Sequence, residues 1–229
     1  MAEKATVRKG GSGAERAALV AVTAAQVAVR MNSVMFPIDG VQLLRALSKE
    51  GFIPPEVPEG ARVAGAEARK GETRIRFDAE KMVLAAIASN PKDAVGQLEW
   101  LEKLAKTEFR VDTESIAHYY ELVVTMVVKA RRSPMEVWAA MAPDIPALTR
   151  LSDVFGRQLA PFGLRLFEPG HEPNSTEWFE VKVEPQLPNS TSQHFFQIIL
   201  RNPRRQIVLD YGRRLEETVS RLFAALEEG

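Results

Sequence analysis

Apolar residues alternate with polar ones through QVAVRMNSVM, where Val27, Val29 and Met31 fall on one side, as a half-buried strand requires. Residues 14 to 22 read as helix or coil leading into that strand, and residues 1 to 13, which contain RKGGSG, read as a flexible arm. The spacing changes at Pro37 and Asp39. DGVQLLRALSKEG sets Val41, Leu44 and Leu47 on one helical face, with Gly51 as its stop. FIPPEVPEG is a proline-stiffened loop, and ARVAGAEARKGETRIRFDAEKMVLAAIA then reads as consecutive short strands turning at KGET and DAEK. Asn90 and Pro91 open a helix in which Val95, Leu98, Leu101 and Leu104 form an apolar stripe. Trp100 lies off that stripe, in the manner of an interface or rim residue.

HYYELVVTMVVKARR returns to the period of a strand. SPMEVWAAM and IPALTRLSDVFGRQLAPFG read as helical, with a break between Pro143 and Pro146. FGLRLFEPG, TEWFEVKVEPQLP, QHFFQIILRN and RRQIVLDYG read as four strands. RRLEETVSRLFAALEEG closes the chain as an amphipathic helix, with Leu215, Val219, Leu222 and Leu226 facing inward.

The element order of the two halves suggests an internal duplication. An offset of 97 residues sets Pro37 against Pro134, Val27 against Val124, Val29 against Met126 and Met31 against Val128. Further along, an offset of 125 sets RFDAEKMVLA against RNPRRQIVLD and pairs Met82, Val83 and Leu84 with Ile207, Val208 and Leu209. The expected fold is α+β: a flexible arm at 1–13, a first repeat at 14–110 and a second at 111–229, each a β-α-β(3-4)-α unit. The halves join into one curved antiparallel sheet with helices packed on one face, since a lone half would leave a strand edge exposed.

That repeated unit resembles the saddle of the TATA-box-binding protein family, and TRIRFDAEKMVLAAIASNPKDAVGQLEWLEKL is similar to its strand-turn-strand-helix segment at Phe77, Lys81, Met82 and Val83. Asp78, Ala79 and Glu80 depart from the family's turn, and in the second half Asn202 stands where a phenylalanine would match Phe77. The resemblance implies a sheet underside able to meet a DNA minor groove, with Phe77 as a wedge.

Thirty basic residues balance thirty acidic ones, so any polyanion site has to be local. There is no cysteine, which removes thiolate nucleophiles, disulfides and Cys-based metal sites. No run approaches the roughly 20 apolar residues of a membrane span, so the expectation is a soluble, cytoplasmic protein that does not use a membrane. His118, His171 and His194 lie in separate segments without metal-ligand spacing, and no phosphate-binding glycine loop or nucleophile elbow occurs, so neither cofactor nor metal is expected. Glu180 and Glu184 share a strand face with Lys182 between them.

The basic candidates for nucleic-acid contact are Lys129, Arg131 and Arg132 at a strand end, and Arg201, Arg204 and Arg205 in an expected hairpin turn. Tyr119, Tyr120, Phe195, Phe196 and Tyr211 lie near them as stacking groups. Three function classes follow. The first is a non-enzymatic module binding a protein partner or a second copy of itself through the sheet face or outer helices. The second is a DNA- or RNA-binding protein using the concave sheet, and the third is a small-molecule binder or enzyme with a pocket between the repeats.

Overall fold

In the long strand Ala117–Lys129 the even-numbered residues Tyr120, Leu122, Val124, Met126 and Val128 are buried, while Glu121, Val123, Thr125 and Val127 lie on the other face. The same alternation runs across a whole sheet. The protein was analysed as a computed structural model that describes residues 19–58, 60 and 62–227. Its elements are β1 (Leu19–Met31), α1 (Gly40–Lys49), β2 (Gly65–Lys70), β3 (Thr73–Asp78), β4 (Val83–Ala88), α2 (Pro91–Phe109) and β5 (Ala117–Lys129). There follow α3 (Pro134–Ala140), a short 3-10 turn (Ala142–Asp144), α4 (Pro146–Phe155), β6 (Leu164–Phe167), β7 (Trp178–Pro185), β8 (Gln193–Asn202) and α5 (Arg205–Glu227). The strands form one antiparallel sheet in the order β2-β3-β4-β1-β5-β8-β7-β6. That order reads the same outward from the β1–β5 seam on either side.

Helix α2 lies on β4 and β1, α5 lies on β5 and β8, and the two helices pack against each other. The core between helices and sheet holds Val27, Leu84, Leu98, Leu101, Leu122, Phe196 and Leu215. Each fully buried leucine or phenylalanine of this kind contributes about 1.5–3 kcal/mol of transfer free energy. The helices begin where the chain supplies caps. The Asp39 carboxylate accepts from the Gln42 N–H at 2.9 Å, and the Asn90 side chain accepts from the Asp93 N–H at 2.8 Å, with Pro91 at the first turn. Helix α1 stops before Gly51, whose φ of 84° suits the turn that follows.

Four expectations need correction or relocation. RRQIVLDYG is not a strand: α5 is already running at Arg205, because both neighbours of β8 are taken by β5 and β7 and a strand following directly could not pair beside it. Val208, Leu209, Leu215 and Val219 instead bury one stripe of that helix. The offset of 125 therefore fails, since it pairs strand residues Val83 and Leu84 with helical Val208 and Leu209. The helix expected to run on past residue 155 ends at Phe155, where Gly156 takes a φ of 61°. In the 14–22 stretch β1 has begun by Leu19, while the expected arm at 1–13 lies outside the described residues. The expected boundary at 110 falls on the left-handed C-cap of α2, Arg110.

Candidate functional site

The face of the sheet opposite the helices carries side chains set by the register of the strands. One row across it reads Glu67, Arg76, Ala85, Ala28, Glu121, Arg201 and Trp178, from β2 to β7. Arg74, Ile87, Gln26, Val123, Ile199 and Glu180 follow in the next row. Towards the far end of β5 and β8 come Thr125 with Gln197, and then Val127 with Phe195. The centre is apolar and the flanks are charged.

Long side chains fold over this surface. Arg76 Nη2 on β3 donates to Gln26 Oε1 on β1 at 2.8 Å, bridging above β4, and beneath it Ala85 is fully buried although α2 lies on the other face of the sheet. A larger residue than alanine would lift that bridge. The Tyr119 ring has Arg201 over it at 4.6 Å and Arg30 at 5.7 Å, and its hydroxyl accepts from Arg30 Nη1 at 3.2 Å. Glu180, 4% exposed, accepts both arms of Arg165 at 2.7 and 3.0 Å, and Lys182 pairs with Glu184 at 2.9 Å. The expected Glu180–Lys182–Glu184 face is thus an ion-paired one, with Arg165 from the neighbouring strand as a member that only the register reveals.

The sequence-derived candidates are dispersed. Arg201 lies on the open face, but its Nε and Nη2 donate to Glu121 at 3.0 and 2.6 Å, and its Nη1 donates to the Pro173 and Ser175 carbonyls at 2.8 and 2.9 Å. It pins the loop before β7 onto the sheet. Arg204 is exposed in the turn entering α5, where its N–H donates to the Asn202 side chain at 2.9 Å. Arg205 points to the helix side, where its guanidinium donates to Glu102 Oε2 at 3.0 and 2.7 Å and to Glu99 at 3.4 Å.

Lys129, Arg131 and Arg132 are exposed at the other end of β5. Lys129 pairs with Gln193 and Arg201 with Glu121, so eight residues, about 27 Å of strand, separate the two basic groups. Phe77 is buried on the helix side and stacks on Phe36 with centroids 5.9 Å apart, away from the open face. Of the aromatic candidates Tyr119 and Phe195 are on the open face, whereas Tyr120 and Phe196 are in the core.

The polar cluster at the α2–α5 seam escaped the sequence reading. Tyr120 donates to Glu102 Oε1 at 3.0 Å, Glu102 also receives Arg205, and Arg213 reaches Glu99 at 2.7 Å. Burial, reinforced by the Glu102 carboxylate, pushes the Tyr120 hydroxyl far above the ordinary tyrosine range. The Glu99 and Glu102 spacing on α2 is visible in the sequence, but their arginine partners lie more than a hundred residues away.

Among the described residues no three His, Cys, Asp or Glu side chains gather as a metal site, and no helix is long and apolar enough to cross a membrane. A cavity of about 660 Å³ between α3 and α4 is lined by residues 139–159, and one of about 690 Å³ by residues 34–40, 62–64 and 79–82. Each belongs to one half of the chain, and the β1–β5 seam between the halves is a paired ladder, regular from Ala24 to Arg30 and bulged towards both ends of β1. No family model and no curated protein matches the sequence, so the functional reading rests on the surface just described.

Proposed function

We propose that the protein is a non-enzymatic binding module of TATA-box-binding-protein-like architecture, built from two copies of one β-α-β-β-β-α unit, that engages a macromolecular partner through the uncovered face of its sheet. Two registers support the duplication. Val27 faces Ala86 as Val124 faces Ile198, and Val29 faces Leu84 as Met126 faces Phe196. Shifts of 97 residues in one strand and 112 in the other carry the first ladder onto the second, and the second shift also sets Asn90-Pro91 on Asn202-Pro203, each entering a helix.

The observation that carries the binding role is the face itself. Val123 with Ile199 and Val127 with Phe195 form two half-buried apolar pairs on either side of Thr125 and Gln197, bordered by arginines, lysine and glutamates already held in ion pairs. An apolar centre inside a fixed polar rim is the composition of a protein contact surface, and paired charges need little reordering on contact. The outer side of α2 carries no large exposed apolar side chain among the described residues, and the exposed Leu151, Val154 and Phe155 of α4 belong to the far end of the second half. Ile199→Glu should abolish co-purification of the partner from native cells at unchanged circular dichroism, while Lys103→Glu on the outside of α2 should leave it intact. The reverse pattern would contradict this reading.

One observation favours nucleic acid as the partner: Arg30, Arg69, Arg74 and Arg76 outnumber Glu67 and Asp78 on the first half's part of the face. Fluorescence anisotropy with duplex and single-stranded DNA and RNA separates the two. Binding with a steep salt slope that shrinks in Arg74→Ala plus Arg76→Ala supports nucleic acid. Absence of binding at low salt leaves the protein partner.

A further inference from the structure

The two edges of the sheet are finished differently. On β2 the Ile53 backbone covers the outward groups of Arg69, with N–H to carbonyl bonds of 2.7 and 3.0 Å in both directions, and Glu67, Arg69 and Lys70 charge that edge. This is how natural sheets block unwanted pairing. On β6 the sequence is LRLF, and Leu166 and Phe167 are 50% and 58% exposed. The preceding α4 sets Leu148, Leu151 and Phe155 at helical spacing, yet none of its side chains is buried. We infer that the β6 edge, together with α4, is an isologous dimer interface that joins the sheets of two copies of this chain into one.

Area and charge select a second copy as the occupant. Phe155, Phe162 and Phe167 are 64%, 46% and 58% exposed, and Leu151, Val154 and Leu166 are 44%, 78% and 50% exposed. At about 200 Å² per phenylalanine and about 90 Å² per aliphatic side chain, that is roughly 500 Å² of apolar surface on each copy. A standard interface takes about 800 Å² from each partner, about 65% of it apolar in homodimers, or about 520 Å². The formal net charge of zero gives two copies no mutual repulsion, and the edge's own Arg165 is neutralised by Glu180.

The backbone fixes the register. The Glu168 N–H donates to the Phe179 carbonyl at 3.1 Å, so by ladder alternation residues 164 and 166 turn their backbone groups to β7, and Arg165 and Phe167 turn theirs outward. A two-fold axis perpendicular to the sheet then permits three nearby registers, centred on Arg165, Leu166 or Phe167. Those centred on Arg165 or Phe167 close only two backbone bonds between residues 164–167 of the two copies. The other sets Leu166 on the axis against its own copy and Arg165 opposite Phe167, closing four backbone bonds. Phe167 is already fixed for it, stacked on Trp178 at 5.7 Å.

The test uses the full chain and its lack of cysteine. Wild type should sediment at twice 25.4 kDa, and Leu166→Lys, which sets two ammonium groups face to face on the axis, should sediment at 25.4 kDa with unchanged circular dichroism. Leu166→Cys should cross-link to a reducible dimer on mild oxidation at least tenfold faster than Ile53→Cys on the opposite edge, because directly facing residues of a non-hydrogen-bonded pair sit about 4.5 Å apart, within disulfide reach. A wild type of single-chain mass at every concentration, or equal cross-linking of the two cysteine variants, would overturn the proposal.

Discussion

Replacing Arg205 by alanine separates a structural arginine from a ligand contact. Arg205 joins α5 to α2 through two charge-assisted bonds to Glu102 Oε2, at 3.0 and 2.7 Å, and the Glu102 side chain is only 10% exposed. Truncating one partner of a fully buried pair costs about 3–5 kcal/mol, because the other charge is left unpaired. The Arg205 side chain is 21% exposed, so water enters when it is removed, and Tyr120 still donates to Glu102. The expected loss is therefore about 2–3 kcal/mol. For a chain of this length each kcal/mol moves Tm by roughly 2–4 °C, giving a fall of about 5–10 °C. Urea unfolding at constant m-value measures the loss, and a cycle with Glu102→Gln should return a coupling above about 1 kcal/mol. A change within about 0.5 kcal/mol, the usual effect of a surface substitution, would refute the seam as described.

The remaining expectations are shorter. Phe77→Ala should destabilise by about 3–5 kcal/mol in chemical denaturation, as for a large core truncation, since the ring is buried against Phe36. Gly40→Ala should destabilise despite alanine's better helix propensity, because the added Cβ would stand 2.4 Å from the Val63 carbonyl oxygen, a backbone atom that must move; thermal unfolding reads this out. Stability should hold below pH 10 and decline above it, because unfolded tyrosine loses its proton near pH 10 while Tyr120 keeps its own in the folded state. Tyr120→Phe should flatten that decline in unfolding curves taken between pH 9 and pH 11.

The alternation of TRIRFD separates Ile75 and Phe77 from Arg74 and Arg76, and it outweighs the resemblance that made Phe77 a wedge on the open face, while the caps at Asp39 and Asn90 marked where two helices begin. Residues 205–212 misled because Ile207, Val208 and Leu209 have strand preferences locally. What decides their state is non-local: β8 already has two neighbours, and the stripe continuing to Leu215 and Val219 fits α2. The chain did hold the signal, since Asn202-Pro203 repeats the Asn90-Pro91 that opens α2. On the surface, whether an arginine is available depends on its cross-strand neighbour. Arg201 looked like a contact residue until the register set it beside Glu121, and Glu180 looked solvated until β6 brought Arg165 to it.

The central claim is that the uncovered sheet face is the binding surface, and site-specific photo-crosslinking in native cells tests it most directly. A photoreactive phenylalanine analogue at Gln197, between the two apolar pairs, should give a discrete adduct with a macromolecule, and the same group at Lys103 on the outside of α2 should give none. An adduct from Lys103 and none from Gln197 would contradict the account.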